Sequence, residues 1–197
     1  GEQVIDLEDL AKHQGSSYGS MGTLVQPSQE HFENLLATEL DQIDKSKSLW
    51  LEDESLTIGK RFIPNPLFNQ MRIAPVYKLE IPLQERTNFL VEVYGALDKD
   101  FLVQCTERIG KRLGPEQTRD SINAIRENRM EDFIKLVLVY YDKTYSTGQS
   151  KRLPDTINLI PCPDTNAANN AKLLLKHISI SGNLLPDSNI SNLTSQI

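Results

Sequence analysis

The chain has 197 residues, 39% hydrophobic and 24% charged, with a formal net charge of −6. That is enough for one good core with a smaller appendage, and the composition is that of a soluble globular domain. No apolar run approaches the roughly 18 residues a membrane helix needs, and no basic-then-apolar leader opens the chain, so the reading is of a protein without a membrane partner.

The charge is unevenly spread. Residues 1–57 carry three Lys/Arg against twelve Asp/Glu, whereas residues 101–152 carry ten against seven. A polyanion would meet the later segment, although such variation also arises by chance along a chain. The two cysteines, Cys105 and Cys162, are too few for a disulfide framework. They imply free thiols and a reducing, cytoplasmic setting.

In chain order, Val4-Ile5-Asp6-Leu7 reads as a short buried strand, and Leu7 to His13 as a short helix that Gly15 ends. Residues 15–23 hold three glycines and three serines and must be irregular. Ser28 is placed to cap a helix whose Phe32, Leu35, Leu36, Leu40 and Ile43 recur at helical spacing. Ser48 to Leu51 is a second strand candidate, running into Glu52-Asp53-Glu54. Three adjacent carboxylates repel one another, which asks for full solvation or a nearby cation.

Two prolines in Phe62-Ile63-Pro64-Asn65-Pro66 force an extended approach to a helix from Leu67 to Arg72. Ala74 to Ile81 is a third strand, and Pro82 opens the next helix, which bears Arg86. Strands alternating with helices predict an α/β fold, with the three strand runs side by side in one parallel sheet crossed by helices.

From residue 98 the pattern becomes helical. Leu102, Cys105, Ile109 and Leu113 form one stripe that Gly114 terminates. Pro115 opens a second helix carrying Ile122, Ile125, Phe133, Leu136, Val137 and Tyr140, so the two form an α-hairpin. Residues 143–152 read as a loop, Ile157 to Ile160 as a late strand, and Asp164 as the cap of a last helix. The expected organisation is an α/β portion over 1–97, a helical hairpin and late α/β elements over 98–181, and a frayed tail over 182–197.

Candidate chemistry follows from residue type and place. Asp6, at a strand end, either faces a ligand crevice or caps the following helix. Gly15, Ser16, Ser17 and Tyr18 offer backbone N–H groups, hydroxyls and an apolar wall to an anion, or else form a plain linker. Glu52 and Asp53 follow an apolar strand as a Walker B acid does, and would position Mg²⁺ directly or through water. Lys60, Arg61, Arg72 and Arg86 could clamp phosphate. Arg108, Lys111, Arg112, Arg119, Arg126 and Arg129 lie on the outer faces of the hairpin and suit an RNA backbone. His13, His31 and His177 are far apart with no metal-ligand spacing, so no metal site is read. Cys105 lies on the apolar stripe and reads as core, and neither cysteine is assigned to sulfur transfer.

Five stretches, VIDLEDLAKHQGSSYG, QPSQEHFENLL, LWLEDES, IGKRFIPNPLF and APVYKLEIPLQERT, resemble the tRNA 2-selenouridine synthases in wording, order and spacing. The resemblance runs from the start of the chain to the tyrosine pair Tyr140-Tyr141. It implies a P-loop NTPase-like parallel sheet, incomplete here, followed by a mostly helical part. It also implies an enzyme that replaces the sulfur of wobble 2-thiouridine in tRNA with selenium, through an S-geranylated intermediate. Selenophosphate and geranyl diphosphate would be its substrates, and a rhodanese-like domain and a Walker A loop would precede the matched region.

This sequence contains no G-x-x-x-x-G-K-[ST]. Gly59-Lys60 and Gly110-Lys111 are each followed by Arg. The chain therefore reads as the rear part of such an enzyme, inactive by itself, with the upstream portion as its partner. Two alternatives stand beside it: a tRNA-binding module without catalysis, and a diverged P-loop nucleotide or metabolite kinase fragment.

Overall fold

A computed structural model describes residues 2–181, and the 182–197 tail lies outside the described residues. The chain divides between Ala74 and Pro75 into two compact units. The third predicted strand and the helix after Pro82 thus belong with the helices that follow them.

The first unit is α/β. Strand β1 (Gln3–Val4) pairs in parallel with β2 (Leu49–Trp50), Gln3 opposite Leu49. The strand is shorter than the predicted 4–7 because Asp6 ends it. The Asp6 carboxylate accepts the Asp9 N–H at 2.7 Å and caps α1 (Leu7–Ala11), which claims Leu7 for a helix. Helix α2 (Gln29–Gln42) starts at the predicted cap, where Ser28 Oγ accepts from His31 N at 3.1 Å. It buries Phe32, Leu36 and Leu40.

Next comes a hairpin that the sequence reading did not contain. Strands β3 (Thr57–Ile58) and β4 (Arg61–Phe62) are antiparallel, joined by Gly59-Lys60. Gly59 has φ +59°, as the first position of a type II′ two-residue turn demands. Helix α3 (Asn65–Ile73) follows Pro64 with Pro66 in its first turn. The core of the unit joins Ile5, Leu7 and Ala11 to Phe32, Leu36 and Leu40, closed by Ile58, Ile63, Leu67 and Met71. Each of the larger side chains contributes about 1.5–3 kcal/mol on burial.

The second unit opens with β5 (Val76–Glu80), which pairs in parallel with β6 (Ile157–Pro161) over five residues, Val76 opposite Ile157. The late strand was expected; its partner was not. Among the described residues the strands form three two-stranded sheets, not one ladder of three. The reason is length. β6 offers β5 a five-residue register, whereas β1 is cut to two residues by the Asp6 cap. The α/β class with parallel pairing and helical crossovers stands.

Four helices follow β5: α4 (Leu83–Gly95), α5 (Lys99–Leu113), α6 (Pro115–Arg126) and α7 (Met130–Gln149). α4 packs on α7, α5 on α6, and α6 on α7. The α5 stripe buries Leu102, Cys105, Ile109 and Leu113 as predicted, and Gly114 at φ +97° turns the chain directly into Pro115. Asp98 caps α5 by accepting the Phe101 N–H at 2.9 Å. Asp98→Ala is expected to destabilise this unit by about 1 kcal/mol, visible as a lower thermal midpoint in helical circular dichroism.

The predicted long second helix is two helices. Asn128 adopts φ +61°; its N–H reaches the Ile125 carbonyl and the Arg129 N–H reaches the Ala124 carbonyl, which is a Schellman stop. In the other direction, the predicted loop over 143–152 is helix as far as Gln149. The threonine hydroxyls there fold back on the helix without breaking it: Thr144 donates to the Tyr140 carbonyl and Thr147 to that of Lys143. The last helix, α8 (Ala167–Ser181), is capped by Asn166, which accepts from Asn169 N at 3.0 Å. Asp164, the expected cap, instead orders the turn before it by accepting from Asn166 N.

Candidate functional site

In open α/β folds ligands bind beyond the carboxyl ends of parallel strands. In the first unit those ends are Asp6, after β1, and Glu52, after β2. The backbone N–H of Leu7 donates to Glu52 Oε2 at 3.1 Å, tying the two strand ends together. Asp6 caps α1, one of the two roles open to it, and its carboxylate lies close enough to Glu52 to help raise that group.

One turn further on, Glu8 meets Glu54. Burial and the neighbouring Glu54 carboxylate push the Glu8 carboxyl up to about 7, while Glu54 is raised chiefly by burial. The two carboxyls therefore hold on to a proton between them to higher pH than isolated carboxyls would. Of the acidic triplet, Glu52 turns to Leu7 N–H, Glu54 to Glu8, and Asp53 to the Arg72 guanidinium at 3.5 Å. Each side chain goes to a different partner, yet repulsion persists, since Glu52 and Asp53 both raise the Glu54 carboxyl.

The loop after α1 wraps this cluster. It is ordered by internal bonds: Gln14 N–H donates to the Gly19 carbonyl at 2.9 Å, and Tyr18 N–H to Ser16 Oγ at 3.2 Å. Gly15 lies against Glu8 and Glu54, so close that a Cβ there would sit 2.7 Å from Glu8 Oε1. Tyr18 is fully buried. Its ring belongs to the interior, and what the loop presents outward is backbone with the half-buried Ser16 and Ser17. His13 is buried against Gly19 and Gly59, and burial lowers its imidazole pKa, which keeps it neutral.

The hairpin bearing Lys60 and Arg61 is held by two glutamines, a role that sequence reasoning missed. Gln26 donates to the Ala11 and Ile58 carbonyls and accepts from Lys60 N at 2.7 Å. Gln29 donates to the Phe62 carbonyl and accepts the Phe62 N–H, as a neighbouring strand would. The signal was present as QPSQ: two amides flanking a helix cap, each able to give and take a backbone bond. Lys60 is exposed and Arg61 half-buried beside this clamp. Glu8 and Glu54 were likewise missed as a pair, because only folding brings residues 46 apart together.

Among the described residues, no group of three or more His, Cys, Asp or Glu side chains is disposed to hold a metal ion. Glu52 and Asp53 diverge to Leu7 N–H and Arg72, so by themselves they do not fit as a Mg²⁺ cradle.

In the second unit the predicted cations separate. Arg86 is tied to Asp142 by two parallel bonds of 2.7 and 3.0 Å. Arg129 is held by Glu127 and Asp132 at the start of α7, and Arg108 leans on Cys105 Sγ at 3.9 Å. Lys111, Arg119 and Arg126 share one groove between α5 and α6, and Arg112 is exposed on α5. Both cysteines are buried and outside any disulfide, and burial raises both thiols, so neither is poised as a thiolate nucleophile. No described helix is long and apolar enough to cross a membrane.

Comparison with known proteins bears directly on this arrangement. Residues 1–131 match the family model described as the tRNA 2-selenouridine synthase AAA domain. A tRNA 2-selenouridine synthase from Shewanella halifaxensis is 35% identical, over 77% of this chain and 50% of its own length. The proteins of the same name from Shewanella sediminis and Aeromonas salmonicida are 34% and 32% identical, over 76% and 73% of this chain. The chain spans about half the length of these curated relatives. No solved structure matches it. The matched segment runs from the first strand through α6, and the chain belongs to the tRNA 2-selenouridine synthase family.

Proposed function

We propose that this chain is the rear portion of an enzyme that exchanges the sulfur of wobble 2-thiouridine in tRNA for selenium. The reaction passes through an S-geranylated nucleoside, with geranyl diphosphate and selenophosphate as substrates. The observation that supports it is the match of the family model to an α/β unit whose two parallel strands end at Asp6 and Glu52 beside the loop of residues 15–19.

The carboxyls at and beside these strand ends, Asp6, Glu52 and Glu54, disfavour a bare diphosphate there, which divides the roles. Ser16, Ser17, Lys60 and Arg61 are the groups assigned to phosphate; Asp6, Gly15, Tyr18, Glu52 and Asp53 hold the loop and strand ends in place. No step is routed through a magnesium ion, given the divergence of Glu52 and Asp53. The rhodanese and Walker A portions of the family are the partners this unit needs, and the isolated chain is inactive. Two buried cysteines outside any disulfide accord with work in the cytoplasm.

A chimera tests this reading. Residues 1–131 replace the matched segment in the full-length relative from Shewanella halifaxensis, and nucleosides from thiouridine-containing tRNA are measured by mass spectrometry. The chimera is expected to form 2-selenouridine while the isolated chain forms none. A folded chimera without product, or product from the isolated chain, would overturn it.

A further inference from the structure

We propose that the groove between α5 and α6 holds the sugar-phosphate backbone of RNA, with Lys111, Arg119 and Arg126 on successive phosphates. The inference rests on the tRNA reading above and adds the surface that makes the contact.

The groove is shallow and open to solvent, with a volume of about 700 Å³. Gly110 lets the two helices come close: a Cβ there would meet Thr118 at 3.3 Å. Cations from both helices consequently reach one channel. Arg119 and Arg126 stand two turns apart on the same side of α6, about 10 Å along its axis, with the exposed Asn123 amide between them. Lys111 enters from α5. Lys111 and Arg126 make no ion pair among the described residues, and Arg119 meets only its neighbour Asp120. The remaining hairpin arginines have other positions or other partners, as described above.

Glu107 also lines the groove. A single carboxylate among three cations weakens a lone small anion more than a polymer that can place its phosphates at the other positions. All three cations are exposed. In high dielectric each contact is weak, so useful affinity requires a ligand that repeats its charge. Exposed Arg and Lys with an interleaved amide suit phosphate and ribose oxygens, which carry no sequence information. This favours a backbone contact and not base reading.

The test uses the whole 197-residue chain and an unmodified tRNA transcript, with anisotropy read between about 50 and 200 mM salt. The triple variant Lys111→Gln, Arg119→Gln, Arg126→Gln is expected to bind about tenfold more weakly. Its log–log salt slope should be smaller by about 2, since each lost phosphate contact removes about 0.7–0.9. A charge-matched control, Lys45→Gln, Lys47→Gln, Lys176→Gln, should stay near wild type. Circular dichroism of both variants checks folding.

Equal losses in the two triples would show a net-charge effect and overturn the groove, as would unchanged binding in the first. Polyglutamate competing as well as RNA at equal charge would assign the groove to an acidic protein instead. Wild-type chain that binds no tRNA overturns the groove alone; the chimera assay, which reads product and not affinity, decides the family reading independently.

Discussion

Gly19→Ala is expected to destabilise the first unit by about 3 kcal/mol. A Cβ at this position would lie 1.8 Å from the Gly15 carbonyl oxygen and 2.6 Å from two atoms of the His13 ring. Neither neighbour can yield cheaply. The Gly15 oxygen is backbone in a loop whose two ends are bonded through Gln14 N–H and the Gly19 carbonyl. The His13 ring is buried and would have to swing out past Gly59. Trp50 is the only tryptophan of the chain and lies in β2, so its fluorescence in a urea titration reports this unit separately from the second. Gly148→Ala is the control. Nothing stands within 4 Å of its Cβ position on α7, and alanine should favour that helix by up to about 1 kcal/mol. A Gly19→Ala protein with an unshifted midpoint would mean that the loop is not packed as described.

The second large effect is a pH dependence set by Glu8. Its carboxyl is pushed up to about 7 by burial first and by Glu54 next, from an ordinary value of 4.5. A carboxyl whose folded pKa exceeds its unfolded one binds more protons when folded. Below about pH 4.5 both states are protonated and nothing is lost. As pH rises from there through about 7 the unfolded state releases its proton first, and the first unit loses stability. The full shift would correspond to about 3 kcal/mol. Glu8 is only half-buried, so solvent screening reduces the expected loss to about 1–2 kcal/mol. Glu52 and Glu54 are raised too, mainly by burial, and add to the same direction. Glu8→Gln keeps a donor for Glu54 and removes the charge. It should raise the Trp50 midpoint at about pH 8 and leave it near wild type at about pH 4.5. A gain of equal size at both pH values would show that packing, not ionisation, is responsible.

Both predictions concern one feature, the loop of residues 13–19 folded between a neutral histidine and a shared proton. Its rigidity has functional weight under the proposed reading. A phosphate-binding loop acts through fixed N–H groups and hydroxyls, and fixing them in advance removes an ordering cost from binding. Burying Tyr18 and shaping the loop with Gly15, Gly19 and Gly59 is how this sequence achieves it. Under the same proposed reading, the carboxyl cluster beneath keeps anions to the hydroxyl and hairpin side.

Much of this was legible in the chain itself, because it depends on neighbours in sequence. Ser28 caps α2, Gly114 and Pro115 join α5 to α6, Pro82 opens α4, and the Cys105 stripe is buried, all as periodicity and turn chemistry require. The five ordered stretches likewise carry the family resemblance in the sequence alone. Asn128, whose left-handed stop divides the long helix, could have been read by the same local rule. What only the tertiary structure decided is pairing at a distance. It chose β6 as the partner of β5, brought Glu8 to Glu54, set Gln26 and Gln29 on the Gly59 hairpin, and separated Lys111, Arg119 and Arg126 from the arginines with other partners. The physical reason is that local geometry follows from backbone sterics and i to i+4 contacts, which sequence spacing encodes. A hydrogen bond or charge pair between remote residues depends on which surfaces the core brings together, and no spacing encodes that.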